Sequence, residues 1–150
     1  MLSLGRTLQT STLELNNRAL AYVGLKKYDK ADSDYSEVLR LAPEDPMAYN
    51  NRAWLAATCP DGAVRNGIIA LEDATKACEL SHWKEANFLD TFAAACAENN
   101  RFAEAVKWKK KALEDSQRMA SDRRRCLAKD YPRLLLAHCP ILFDPVSVHS

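Results

Sequence analysis

Few side chains in this sequence have the type and spacing needed to make or break bonds. The three histidines are His82, His138 and His149. Two lie near the C-terminus, and none forms the H-x-x-x-H pair that sets two imidazoles on one helical face for a metal. His138 and Cys139 are adjacent, but consecutive residues seldom present their side chains to each other, and no orienting acid is evident for a nucleophile there. Cys59, Cys78, Cys96, Cys126 and Cys139 are odd in number, widely spaced and without a C-x-x-C pair. They predict reduced thiols, mostly in a core, and neither a disulfide framework nor a zinc site. Gly62 and Gly67 bracket four residues as the start of a phosphate loop would, but Ile68 and Ile69 follow where Lys and Ser or Thr are required. The sequence therefore predicts no enzyme, no cofactor, no metal and no small-molecule substrate.

Cations and carboxamides remain. Net charge is +1, so no global field collects polyanions. Residues 101–130 carry ten basic and five acidic side chains, against eleven and fifteen elsewhere, which makes the C-terminal third locally basic. Lys107, Lys109, Lys110, Lys111 and Arg123 to Arg125 are diluted by Glu114, Asp115 and Asp122, and no aromatic residues interleave. That pattern favours a solvated helix face over a nucleic-acid surface. The carboxamides are more orderly: Asn16-Asn17-Arg18-Ala19 recurs letter for letter as Asn50-Asn51-Arg52-Ala53. A carboxamide both donates and accepts, so it can pair with a peptide unit whatever side chains that peptide carries.

The elements that position these residues follow from composition and periodicity. In 150 residues, 47% are hydrophobic and 27% charged, which suits one globular domain, and four glycines are too few for glycine-dependent folds. No stretch is long and apolar enough to span a membrane, and residues 1–11 lack the pattern of a secretory signal, so a cytoplasmic chain is expected. The repeat extends beyond the tetrapeptide. Lys27-Tyr28-Asp29-Lys30-Ala31 is echoed by Arg101-Phe102-Ala103-Glu104-Ala105, and the segment Glu37 to Leu41 by Ala74 to Leu80 and Lys111 to Glu114. Within the first copy, Leu15, Ala19, Tyr22 and Leu25, then Tyr28, Ala31, Tyr35, Val38, Leu39 and Leu41, recur at three or four residues, the period of two apolar helical stripes ended by Pro43. Small residues oppose one another where paired helices approach: Ala19 and Ala31, Ala53 and Ala70, Ala93 and Ala105. Ser11 or Thr12 is the expected N-cap of the first helix after a lead-in over 1–11. Pro46 fits the first turn of the third helix, and Pro60 should end it.

This pattern resembles tetratricopeptide repeat proteins over about residues 12–115, in copies at about 12–45, 46–84 and 85–115. The first copy supplies Leu15, Ala19, Tyr22, Ala31, Tyr35, Val38 and Pro43. The second supplies Tyr49, Ala53, Ala56, Ala70, Ala74, Ala77 and Leu80, stretched by about five residues at residues 59–66. The third supplies Leu89, Ala93, Cys96, Phe102, Ala105 and Ala112. Ala53-Trp54-Leu55, Thr58 to Asp61, Ala74 to Leu80 and Leu89-Asp90-Thr91 are similar to a bacterial subtype often appended to larger proteins. The resemblance implies an all-α, right-handed superhelical stack of three helix hairpins. A capping helix at 116–131, where Met119, Arg123, Cys126 and Leu127 keep helical spacing, and a tail at 132–150 would follow.

The resemblance further implies a non-catalytic scaffold that holds an extended protein or peptide segment in a groove lined by the first helix of each hairpin. Carried over residue by residue, the lining is Leu13, Asn16, Asn17 and Leu20 from copy one, and Met47, Asn50, Asn51 and Trp54 from copy two. Copy three adds Asn87, Asp90, Thr91 and Ala94. Asn17 and Asn51 would form an asparagine ladder. Trp54 would fill a ligand pocket or pack on its neighbour, while Trp83 and Trp108 are structural. Some members grip a C-terminal carboxylate with lysines, an arginine and asparagines; the matching positions here hold Asn16, Leu20, Asn51, Asn87 and Thr91, without the cations. Acidic tails of chaperones are thereby disfavoured. Arg18 and Arg52 lie one step further on and should pair with neighbouring acids. Two alternatives stand beside this reading: an appended regulatory module of a larger protein, or a basic C-terminal surface for nucleic acid or an acidic partner. The apolar runs Leu134 to Ala137 and Pro140 to Phe143 could pack on the cap or occupy the groove.

Overall fold

Each run of helical periodicity becomes a helix, and the turns between them are set by local chemistry. The computed structural model describes the backbone of residues 2–130 and the side chains of residues 11–125. It contains α1 (Leu2–Gly24), α2 (Tyr28–Leu41), α3 (Pro46–Thr58), α4 (Gly67–Leu80), α5 (Ala86–Glu98) and α6 (Phe102–Asp130). The N-cap of α3 is Asp45, whose carboxylate accepts the Met47 N–H while Pro46 occupies the first turn. Asn66 caps α4 by accepting from the N–H groups of Ile68 and Ile69. Three helices end in the same way, with a left-handed residue at Lys26 (φ 58°), His82 (φ 54°) or Asn100 (φ 59°). The following N–H of Lys27, Trp83 or Arg101 bonds back to the carbonyl of Tyr22, Cys78 or Cys96 at 2.7–2.8 Å. These are Schellman caps built without glycine.

Two boundaries differ from the sequence expectation. Ser11 and Thr12 do not cap α1, which begins at Leu2 and absorbs the lead-in, because no proline precedes Pro43 and Gly5 alone does not stop a helix. Nor is there a separate helix at 116–131. With no glycine or proline between Phe102 and Asp130, α6 runs unbroken for 29 residues. The chain divides into two units, residues 1–113 and 114–150. In the second, Arg118 donates to Asp115 at 2.9 Å and Arg125 lies 3.9 Å from Asp122, both one turn apart on α6. The expectations for Cys126, Leu127 and the apolar tail, including His138, Cys139 and His149, fall outside the described residues.

In the first unit α1–α2, α3–α4 and α5 with the start of α6 form three hairpins, and successive hairpins stack through α2 on α3 and through α4 and α3 on α5. Ala19, Ala31, Ala53 and Ala70 are fully buried and Ala93 nearly so, while Ala105 packs half-buried against the main core, so the short side chains sit at the close approaches. A second tie repeats in register with those alanines. Arg18, one residue before Ala19, makes a two-pronged bond to Asp34, three residues after Ala31, at 2.7 Å for each contact. Arg52 repeats it with Asp73 at 2.6 and 2.9 Å and also donates to Ser36. In the third hairpin the same two positions hold Phe92 and Trp108, edge to face at 5.7 Å, with Trp83 against both. One geometric slot is thus filled twice by an ion pair and once by aromatic rings. Trp83 and Trp108 are structural.

Candidate functional site

On the face formed by α1, α3 and α5 lies a cleft of about 520 Å³. Leu20 comes from α1; Asn50, Asn51 and Trp54 from α3; and Asn87, Asp90 and Thr91 from α5. A helix repeats every 3.6 residues, so Asn50, Asn51 and Trp54, and likewise Asn87, Asp90 and Thr91, fall on one side of their helices. Val23, Tyr28 and Tyr35 add an apolar wall, the end of α3 contributes Thr58, and the α3–α4 loop contributes Cys59 and Pro60. Sequence reasoning missed these; the usable signal was the aromatic Tyr28 directly after the first turn.

The polar groups of the cleft differ in how far they are engaged. The Asn51 side-chain N–H donates to Asn16 Oδ1 at 2.9 Å, joining two hairpins. The Thr91 hydroxyl donates to the Asn87 carbonyl at 3.1 Å. Asn50 is 8% exposed, and its Oδ1 is buried with no hydrogen-bond partner among the described residues. A buried acceptor left unpaired costs about 1–3 kcal/mol, so its position against a cleft calls for a physical reason. Asp90 is held by the Lys109 ammonium. Trp54 and Leu20 are 47% and 50% exposed, presenting apolar area beside these groups.

Other predicted positions are placed differently. Asn17 is exposed and does not line the cleft, so the cross-repeat carboxamide bond is made by Asn16 with Asn51. Leu13 and Met47 are exposed and lie outside the lining, and Ala94 lines a different surface. Arg18 and Arg52 are committed to Asp34 and Asp73. That second surface is an apolar cleft of about 490 Å³, floored by Ala93, Ala94, Ala97 and Ala105 and walled by Trp54, Phe102, Val106 and Leu113. It was not legible beforehand, because Ala93, Phe102 and Ala105 also fit repeat positions.

Electrostatically, no Lys, Arg or His lines the first cleft among the described residues, and Asp90 is the one ionic group they bring to it. Carboxylate capture would need cations at Asn16, Leu20, Asn51, Asn87 or Thr91, and none is there. Cys59, Cys78 and Cys96 are buried free thiols, and burial pushes Cys78 up to about 12 and Cys96 upward, which keeps both protonated and inert. No group of three or more potential metal ligands occurs among the described residues, and no described helix is long and apolar enough to cross a membrane. Lys107 sits 5.5 Å from the Trp108 ring, so part of the basic run is engaged within the hairpin.

Three stacked hairpins with alanine-lined approaches and a cleft on their first helices define the tetratricopeptide repeat fold. The solved structure of the first such domain of Spaghetti (RPAP3), bound to the HSP90 peptide SRMEEVD, matches with a TM-score of 0.61. The match covers 79% of this chain and 94% of that one at 21% identity. No family model matches the sequence, and no curated protein does.

Proposed function

We propose that the protein is a non-catalytic interaction module that holds an extended peptide segment in the cleft on α1, α3 and α5. One observation carries this reading: Leu20, Asn50, Asn51, Trp54, Asn87, Asp90 and Thr91, drawn from three hairpins, converge on a single cleft, with Asn51 tied across the hairpin boundary to Asn16. That tie leaves the Asn51 carbonyl oxygen to accept a peptide N–H, while Trp54 and Leu20 cover apolar side chains. The structural neighbour of the same fold binds a peptide, which supports the class of ligand; its peptide ends in acidic residues that this cleft has no cations to meet. A rigid, nearly neutral cleft of this size predicts affinity on the order of micromolar. In fluorescence anisotropy against a display-selected peptide, Asn51→Ala should weaken binding at least about fivefold, close to 1 kcal/mol, and Lys110→Ala should leave it unchanged. Equal losses would move the site off this face.

A further inference from the structure

Resting on the peptide-holding reading of the same cleft, we infer that it selects a lysine or arginine side chain within the bound segment, seated by Asn50 Oδ1 and the Asp90 carboxylate beside the Trp54 ring. Two acceptors of the cleft stand apart from its other polar groups. Asn51 Nδ2 spends one of its two hydrogens on Asn16, and the Thr91 hydroxyl donates to the Asn87 carbonyl. Asn50 Oδ1 is buried against the cleft without a partner among the described residues, and of the two Asp90 carboxylate oxygens Lys109 engages Oδ1. A ligand group with several donors can reach both acceptors at once. A backbone N–H would satisfy Asn50 but, being uncharged, would not compete with Lys109 for Asp90. An ammonium or guanidinium answers both, since it carries several donors and a positive charge.

The surroundings fit a long cationic side chain. Among the described residues no lysine, arginine or histidine lines the cleft to repel it, and the half-exposed Trp54 side chain offers apolar surface to the cation's methylene stem. Lys109 is the internal competitor for Asp90. Its side chain is 66% exposed, and exposed ion pairs contribute little, so a ligand cation can share or replace it. A glutamate at the same point would meet Asp90 and an unpaired acceptor.

The test uses the full chain and fluorescein-labelled, end-capped heptapeptide pools with a fixed central residue, either lysine, arginine, norleucine or glutamate, and small or apolar neutral residues elsewhere. Anisotropy titrations should show the lysine and arginine pools binding at least about tenfold tighter than the norleucine pool, with the glutamate pool weakest. Asp90→Asn and Asn50→Leu, each checked for native helicity, should cut the lysine-to-norleucine ratio below about threefold, whereas Lys109→Gln should keep or raise it. If all four pools bind alike and Asn51→Ala still weakens them, the peptide cleft stands and the cation preference is overturned. If no pool binds, both fall. A ratio that survives Asp90→Asn also overturns the assignment.

Discussion

At the scale of single residues, the molecule separates ionic groups that hold it together from those that face its cleft. Arg52 and Asp73 are 23% and 7% exposed at the side chain, and the two-pronged bond between them is the better buried of the two repeated ties. Removing one partner leaves the other charge stranded, so Asp73→Ala should cost about 2–3 kcal/mol in urea unfolding. The aromatic filling of the same slot in the third hairpin argues that the charge itself is dispensable. Arg52→Met with Asp73→Leu should therefore recover most of that loss, and a double variant as unstable as the single one would contradict this. Asp32 lies beside this pair, and burial raises its pKa above the usual value, more than Arg52 lowers it. A carboxyl that holds its proton more tightly when folded makes stability fall as pH rises past its unfolded value. Asp32→Asn should accordingly raise the urea midpoint near about pH 7 and bring no gain near about pH 3, where both states are protonated. A gain of equal size at both pH values would show that charge burial is not the cause.

At the scale of elements, the turns show how much irregular backbone this repeat tolerates. Lys26, His82 and Asn100 adopt left-handed φ values so that the following N–H can reach back to close the helix. Asparagine visits this region readily, whereas a lysine pays a steric penalty there because its Cβ crowds the following carbonyl. Lys26→Gly is expected to stabilise the first hairpin by about 1 kcal/mol, seen as a higher thermal midpoint with the same helical signal. The long α6 follows from the same rules applied in reverse, since neither a glycine nor a proline interrupts it before Asp130.

At the scale of the whole molecule, the stacked hairpins bury three apolar clusters, two of which Tyr49 touches, so damage at one close approach should be felt in the neighbouring hairpin. Ala70 is fully buried within the cluster that also holds Ala53, Leu89 and Cys96 from neighbouring helices. Ala70→Leu should wedge α3 from α4, lower the urea midpoint by an amount equivalent to about 2 kcal/mol, and weaken peptide binding together with stability. An unchanged midpoint would mean that the hairpin has room there and that the alanine spacing does not set its geometry.

How much of this was legible depends on the range over which each feature is decided. The repeat, the helix pairs, the alanine approaches, the place of Pro46 in the first turn of α3 and the ending of α3 before Pro60 were determined by the sequence, because they rest on residues three or four apart or on the fixed dihedral of proline. The absence of cations from the matching positions was equally plain from the sequence. Which carboxamide meets the cleft was not. Asn16 and Asn17, or Asn50 and Asn51, differ by one residue and therefore by about 100° around the helix axis, so the choice is made by how each hairpin rotates as it packs on the next. Only the tertiary structure joined Asn51 to Asn16 rather than leaving Asn17 as its counterpart, buried Asn50 Oδ1 without a partner, and set Asp90 between Lys109 and the cleft. Those outcomes depend on contacts between residues some twenty to forty positions apart, which local periodicity does not encode.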